Sequence, residues 1–220
     1  MKKLFICLFV SMLCTWTFAQ QHHTFEKGTL GPEWCFIGEP DSSKYTFMDG
    51  RLRLFGSIYE LYEDKPVTFT GFRQQSTQFE ATTKLTLLDT EYGDEAGLCV
   101  YRSPKGYIQL CIEGLQSGHR LKLKMRLLSH NMQMAEQYIG SNKDVWLRVK
   151  SDSEKIAFLY STNGTDFRQI GFVEQRLIAP DIVGGEQQTY TGMYAYTGST
   201  KYSAGYTFAD FDFFDYDETK

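Results

Sequence analysis

A glycosidic bond is cleaved by two carboxyl groups that face each other about 5 to 10 Å apart, so acidic clusters are the first residues to weigh. Glu91-Tyr92-Gly93-Asp94-Glu95 is one. Gly93 and the polar run around it mark a solvated turn. Asp210, Asp212, Asp215 and Asp217 form the other. Their spacing around Phe211 and Phe213 begins as one strand face, then reads as an edge strand fraying into an acidic tail. Neither cluster sets two acids opposite each other. Glu80 is the one acid well placed on a strand face. Asp210 with nearby carbonyls is the only metal reading, since calcium takes carboxylate and carbonyl oxygens, and it lacks a loop signature. No other cofactor is implied.

Nucleophile chemistry is no better supported. There is no Gly-x-Ser-x-Gly, and no cysteine has an obvious histidine partner. His22 and His23 lie near the N-terminus, His119 and His130 in or near polar turns, and zinc spacing is absent. Aromatic residues make up 15% of the chain. Such rings suit strands and can stack on sugar faces, although most serve as packing. The net charge of −4 argues against a nucleic-acid partner, which needs a clustered basic surface.

The first nineteen residues have the grammar of a secretory signal peptide: Lys2 and Lys3, an apolar run from Leu4 to Cys14, then small Thr17 and Ala19 before a cleavage point. The run is too short to span a bilayer, and no second stretch approaches that length, so no membrane insertion is expected. The expectation is a secreted or periplasmic protein cleaved near Ala19. It comprises a loose tail over residues 20–23 and a single domain over 24–220. Cys35, Cys99 and Cys111 remain, an odd set, so disulfides do not define the fold.

What must position any site is a set of strands. Period-two alternation dominates. Phe79, Ala81, Thr83, Leu85 and Leu87 take one face, and Glu80, Thr82 and Lys84 the other. Val145, Leu147 and Val149 alternate with Trp146 and Arg148, and Ile156–Tyr160 and Phe208–Phe213 continue the pattern. Met48-Asp49-Gly50 and Asn163-Gly164 are turn signals, the latter the stronger hairpin sign. The Asn163-Gly164-Thr165 sequon matters only in a glycosylating host. Met125–Tyr138 is ambiguous between helix and strand. The fold class is all-β, a sandwich or barrel.

One hairpin can be registered. Centring its turn on Lys105 pairs Val100 with Leu110 and Leu98 with Ile112 on the core side. Tyr101 then faces Gln109, and Cys99 faces Cys111. The cysteines are expected to stay free thiols, because a disulfide would need closer Cβ atoms than such a pair provides. Parity thus places Tyr101, Tyr107 and Gln109 on a non-core face, with Glu80, Trp146 and Arg148 on the non-core sides of their own strands.

Several strings have a familiar order: Glu33-Trp34-Cys35-Phe36, Gly50-Arg51-Leu52-Arg53-Leu54, Gly71-Phe72-Arg73-Gln74-Gln75, Asp94-Glu95-Ala96-Gly97-Leu98, and Ala209-Asp210-Phe211-Asp212-Phe213. They resemble the C-terminal concanavalin A-like β-sandwich of glycoside hydrolase family 43 β-xylosidases across nearly the whole mature chain. The resemblance implies a jelly roll of two antiparallel sheets. In that family the catalytic residues sit on a separate propeller, and the sandwich lends a loop to the rim of the active site. Arg73 and Gln74 occupy the matching stretch, with Phe72 where the family usually has a first arginine.

Three functions follow as expectations. The leading one is a non-catalytic module of xylan- or arabinan-type polysaccharide degradation. It would hold an oligo- or polysaccharide on Tyr101, Tyr107, Gln109, Glu80, Trp146 and Arg148, converging on one concave surface with Arg73 and Gln74 at its rim. The alternatives are a glycoside hydrolase of concanavalin A-like fold using Glu80, and a subunit that docks on a separate propeller hydrolase.

Overall fold

The structure, a computed structural model, describes residues 21–88, 91–185, 188–198 and 207–218. The proposed signal peptide lies outside them. Fifteen strands follow in order: β1 Gln21–Thr24, β2 Cys35–Phe36, β3 Tyr45–Met48, β4 Arg51–Phe55, β5 Thr68–Arg73, β6 Gln78–Leu88, β7 Glu95–Ser103, β8 Gly106–Gly114, β9 His119–Leu127, β10 His130–Gly140, β11 Asp144–Asp152, β12 Lys155–Ser161, β13 Arg168–Glu174, β14 Tyr190–Tyr196 and β15 Phe208–Glu218. Among the described residues, helix is confined to short 3-10 turns at Ser42–Lys44 and Gln175–Ile178 and one α-turn, Pro180–Val183.

The strands form two antiparallel sheets. Sheet I runs β13-β12-β11-β6-β15-β4-β3, with β1 also on β15, and sheet II runs β10-β9-β8-β7-β14-β5-β2. Strands β14 and β15 take interior positions, β14 between β7 and β5 and β15 between β6 and β4. The expected two-sheet sandwich is what the chain forms.

Alternation explains the core. Leu85, Leu87, Val145, Leu147, Phe158 and Phe211 from sheet I meet Leu98, Val100, Ile108, Leu110 and Leu123 from sheet II, all at most 1% exposed. Burying each such side chain stabilises by about 1.5–3 kcal/mol. The segment from Met125 to Tyr138 is a hairpin, β9 to β10, turning at Leu128 with φ 57°. Asp49 (φ 52°) and Gly50 (φ 73°) turn β3 into β4, as the paired left-handed positions of a tight hairpin require.

Three expectations need correction. The β7–β8 register is displaced by two residues: Val100 pairs with Ile108, Cys99 with Gln109, Tyr101 with Tyr107 and Cys111 with Gly97. The cause is a tighter turn at Pro104–Lys105, with a bulge between Tyr101 and Ser103. An even displacement keeps every side chain on its face, so the core assignment survives while the Cys99–Cys111 pairing does not. Cys35, Cys99 and Cys111 are free.

The tail expected over 20–23 is, from Gln21 on, strand β1. It pairs with residues 213–216 of β15, the part that β4, paired only with 208–211, leaves open. His23 packs edge-on against Phe72 at 4.8 Å and Trp34 at 5.6 Å.

Finally, β15 is an interior strand rather than a fraying edge. Three of its acids are paired across it: Asp210 with Arg53, Asp212 with Lys84 and Arg51, and Asp215 with His22. Arg53 grips both oxygens of Asp210, at 2.6 and 2.8 Å. That occupies the oxygens a calcium ion would need, and among the described residues no three His, Cys, Asp or Glu side chains cluster as metal ligands.

Candidate functional site

The outer face of sheet II is built from cross-strand rows. Arg73, Tyr190, Tyr101, Tyr107 and Arg126 stand side by side; next come Gly192, Cys99, Gln109 and Lys124; then Tyr194, Gly97, Cys111 and Lys122; then Tyr196, Glu95, Glu113 and Arg120. The aromatic end is covered. Leu61 and Val67, from the segment between β4 and β5, join Phe69, Cys99, Tyr101, Tyr107, Tyr190 and Tyr194 in a second apolar cluster. Tyr101 (5% exposed), Tyr107 (2%) and Gln109 (6%) are therefore buried, not the open platform expected. Tyr101 and Tyr107 stack on each other, centroids 5.9 Å apart.

Where that cover ends, a polar cleft of about 280 Å³ opens, lined by Glu60, Glu95, Tyr107, Gln109, Lys124 and Arg126 among others. Register sets Glu95 directly opposite Glu113, a like-charge pairing that is destabilising by itself. Cations from β9 neutralise it. Lys122 bridges the two carboxylates at 3.3 and 3.1 Å, Lys124 bonds Glu95, and Arg120 bonds Glu113 and also Glu136. The Tyr194 hydroxyl donates to Glu95 at 3.4 Å. Burial pulls the Lys124 ammonium down, but Glu95 and its other neighbours outweigh this and leave it above the ordinary lysine value.

Glu60 is the contrast. Burial raises its carboxyl above the usual range, Lys124 opposes the shift and Glu95 adds to it. The Tyr196 hydroxyl beside it is pushed up to about 12, first by burial and then by Glu60 and Glu95. Arg126 lies over the Tyr62 ring at 3.9 Å and donates to Asn131 at 2.7 Å and to the Pro104 carbonyl at 2.9 Å. The cleft thus offers hydrogen-bond donors and acceptors beside aromatic rings.

The remaining candidates lie elsewhere. Glu80, Trp146 and Arg148 belong to β6 and β11 of sheet I, on the opposite outer face. The expected convergence on one surface therefore fails, because alternation assigns a face of a strand but not the sheet it joins. Arg148 lies 3.3 Å from Glu80, donates to Thr82 at 3.0 Å and covers Phe167 at 3.9 Å. Trp146 is half-buried beneath the β12–β13 turn, where Lys84 sits 5.2 Å from its ring. Arg73 shares the Tyr101 face, 6.0 Å from the Tyr190 ring. Gln74 turns to Thr191 at 2.6 Å and lines a separate cavity at the end of the sandwich.

Glu95, Glu113, Lys122, Lys124 and Glu60 did not emerge from the sequence reading. Asp94 and Glu95, expected in a solvated turn, are 2% and 3% exposed. One available signal was β9 itself: Arg120, Lys122, Lys124 and Arg126 alternate with Leu121, Leu123 and Met125. Four cations on one strand face need acids opposite.

Two jelly-roll sheets with β14 and β15 at interior positions define a concanavalin A-like sandwich. Residues 22–217 match the β-xylosidase C-terminal concanavalin A-like domain, and the chain belongs to that family. It is 26% identical over 195 residues to a non-reducing end α-L-arabinofuranosidase of Bacteroides ovatus, covering 87% of this chain and 36% of that protein. It is also 26% identical over 188 residues to a xylan 1,3-β-xylosidase of a Vibrio species, covering 82% and 34%. A glycoside hydrolase family 43 protein of Bacillus licheniformis superposes with a TM-score of 0.81 at 22% identity, over 90% of this chain and 39% of that one. The chain thus spans little more than a third of the length of these relatives.

Proposed function

We propose that this chain is a secreted, non-catalytic glycan-binding domain that assists family 43 hydrolases acting on xylan- or arabinan-type polysaccharides. The observation that carries the reading is the sheet II cleft, where Gln109, Lys124, Arg126, Tyr107 and Tyr196 line a polar space of about 280 Å³. The family membership and the relatives' names supply the substrate class. Export rests on the N-terminal sequence pattern alone.

Calorimetric titration with xylo- and arabino-oligosaccharides tests it. Shallow sugar sites bind with dissociation constants of roughly micromolar to millimolar, and Lys124→Met or Arg126→Ala should weaken that binding severalfold. No heat with either sugar series would remove the reading.

One observation favours a second reading, a hydrolase. Glu60, whose carboxyl is raised, lines the same cleft as Glu95, flanked by two ammonium groups, and acid pairs of unlike environment can divide the roles of proton donor and base. Glu80, the acid first considered for that role, sits on the other sheet between Arg148 and Lys150. Turnover of a nitrophenyl xyloside or arabinofuranoside that disappears in Glu60→Gln would promote this reading over the first.

A further inference from the structure

A second cavity, larger than the sheet II cleft, lies among the described residues. It measures about 480 Å³ and lies at one end of the sandwich. The β5–β6 connection, the end of β7, the β11–β12 turn, the Gln175–Ile178 turn and the residues before β14 all converge on it. Its side chains are unusual for an acidic protein. Arg102 and Arg176 line it with four amides, Gln74, Gln75, Gln175 and Gln188, and no acidic side chain is among the described lining residues. On the β5–β6 side, Glu218 accepts from the backbone N–H groups of Gln75 and Ser76 and from the Tyr216 hydroxyl. On the β11–β12 side, Asp152 accepts from the backbone N–H groups of Glu154 and Lys155.

Arg102 is under-used where it stands. Its terminal nitrogens make only long contacts, 3.4 Å to Thr189 and 3.3 Å to the Gly185 carbonyl, and its Nε is buried without a hydrogen-bond partner. A guanidinium has five donors in a planar fork that matches a carboxylate, and buried donors are ordinarily satisfied. The amides are set with complementary polarity. Gln74 spends its N–H on Thr191 and keeps its carbonyl as an acceptor, whereas Gln175 accepts from Ser151 and keeps its N–H groups as donors. Ile178 and Pro180 supply an apolar wall.

The geometry points to a second ligand site, distinct from the sheet II cleft, that takes the carboxylate of an acidic sugar, a uronic acid unit of a polysaccharide. Arg102 and Arg176 hold the carboxylate, the glutamines bond the ring hydroxyls, and Ile178 and Pro180 meet the C–H face of the ring. A lone inorganic anion would use the arginines but leave the amides and the apolar wall idle. That the anion is a sugar acid rests on the glycan reading above; that the site takes a carboxylate does not.

The test is calorimetric titration of the whole chain with xylotetraose carrying one glucuronic acid branch, against unbranched xylotetraose, with acetate as a competitor. The expected result is about tenfold tighter binding of the branched sugar. That advantage should fall to little or nothing in Arg102→Gln and in Arg176→Gln, while the unbranched sugar binds both variants as it binds the parent. Arg176 is exposed, so its variant stays informative should Arg102→Gln fail to fold. Equal affinity for the two sugars, or a preference that survives both substitutions, would overturn the site. Acetate displacing the branched sugar as readily as free glucuronate, run as a second competitor, would overturn the sugar-acid assignment. Binding of the branched sugar alone would uphold this site and remove the sheet II cleft as a glycan site, so the two readings fail separately.

Discussion

On sheet I, Glu80 keeps 29% of its side chain exposed while it meets Arg148 and Lys150; on sheet II, Glu95 keeps 4% exposed while it meets Lys122 and Lys124. Each acid sits between two cations on an outer sheet face. What differs is the surroundings. The β4–β5 segment packs over sheet II and seats its aromatic rows under Leu61 and Val67, whereas the three charges of the Glu80 cluster remain in contact with solvent. Composition alone therefore does not say what an ion pair contributes. Removing one partner of a buried pair costs about 3–5 kcal/mol, because the other charge is stranded, while an exposed pair contributes about 0–1 kcal/mol.

The comparison breaks or holds on a matched pair of variants. Glu95→Gln should lower the unfolding free energy by about 3–5 kcal/mol, since Lys122 and Lys124 lose a shared partner in a poorly hydrated place. Glu80→Gln should lower it by no more than about 1 kcal/mol. Urea titrations of both, followed by tryptophan fluorescence, give the difference directly. Equal losses would mean that the cover over sheet II does not desolvate its charges.

A slightly smaller effect probes the cover itself. Leu61 is 5% exposed and packs in the apolar cluster with Tyr101 and Tyr107. Leu61→Ala should cost about 2–5 kcal/mol, the range for deleting a buried leucine side chain. It should also speed amide hydrogen exchange in β7 and β8 ahead of β6 and β11. Uniform acceleration across both sheets would show instead that the cover and the main core unfold as one unit.

How much of this could be read from the sequence divides along a physical line. Alternation is local, so the inward sets Phe79–Leu87 and Val145–Val149 were legible, as was the shared core face of Leu98, Val100 and Ile108. Sheet membership is not local. Nothing in the Trp146 strand says that it pairs with β6 rather than with β7, and the proposed single binding surface failed there. The turn residues of Glu91–Glu95 are as polar as any solvated loop, and the partners that hold Glu95, Lys122 and Lys124, lie nearly thirty residues on. Asp210–Asp217 likewise read as a tail, because Arg53 and Lys84, which neutralise Asp210 and Asp212, lie far back in the chain.

On sheet I, the half-buried ring of Trp146 depends on a glycine. Gly164 has φ +80°, and a Cβ there would come within 2.9 Å of the Trp146 ring. Gly164→Ala should therefore cost about 1–2 kcal/mol for the left-handed backbone alone, with a further loss if the turn lifts off the ring. A thermal melt of this variant beside Asn163→Ala separates the backbone effect from the loss of the Asn163 side-chain bonds to the Thr165 and Asp166 amides. An unchanged melting temperature in Gly164→Ala would mean that the turn rearranges freely above sheet I, unlike the cover on sheet II.

The smallest expected effect concerns Glu60, the acid of the cleft whose side chain takes no share in the ion-pair network. Burial lifts its carboxyl above the ordinary glutamate value of 4.5, with Glu95 adding and Lys124 opposing. Between 4.5 and the raised value, the folded chain holds a proton that the unfolded chain has released. Stability rises with pH wherever the unfolded state binds more protons. Here it binds fewer, so this group makes stability fall as pH rises through that window, then level off above it. Glu60→Gln removes the titration while keeping a neutral side chain of similar shape. The variant should match the parent at pH 4 and melt higher than it at pH 7.5. Taking the difference between the two curves cancels the other titrating groups, His23 included, whose burial-lowered pKa gives a slope of the opposite sign at acid pH. Parallel curves would place Glu60 in open solvent and make the cleft as wet as the face of sheet I.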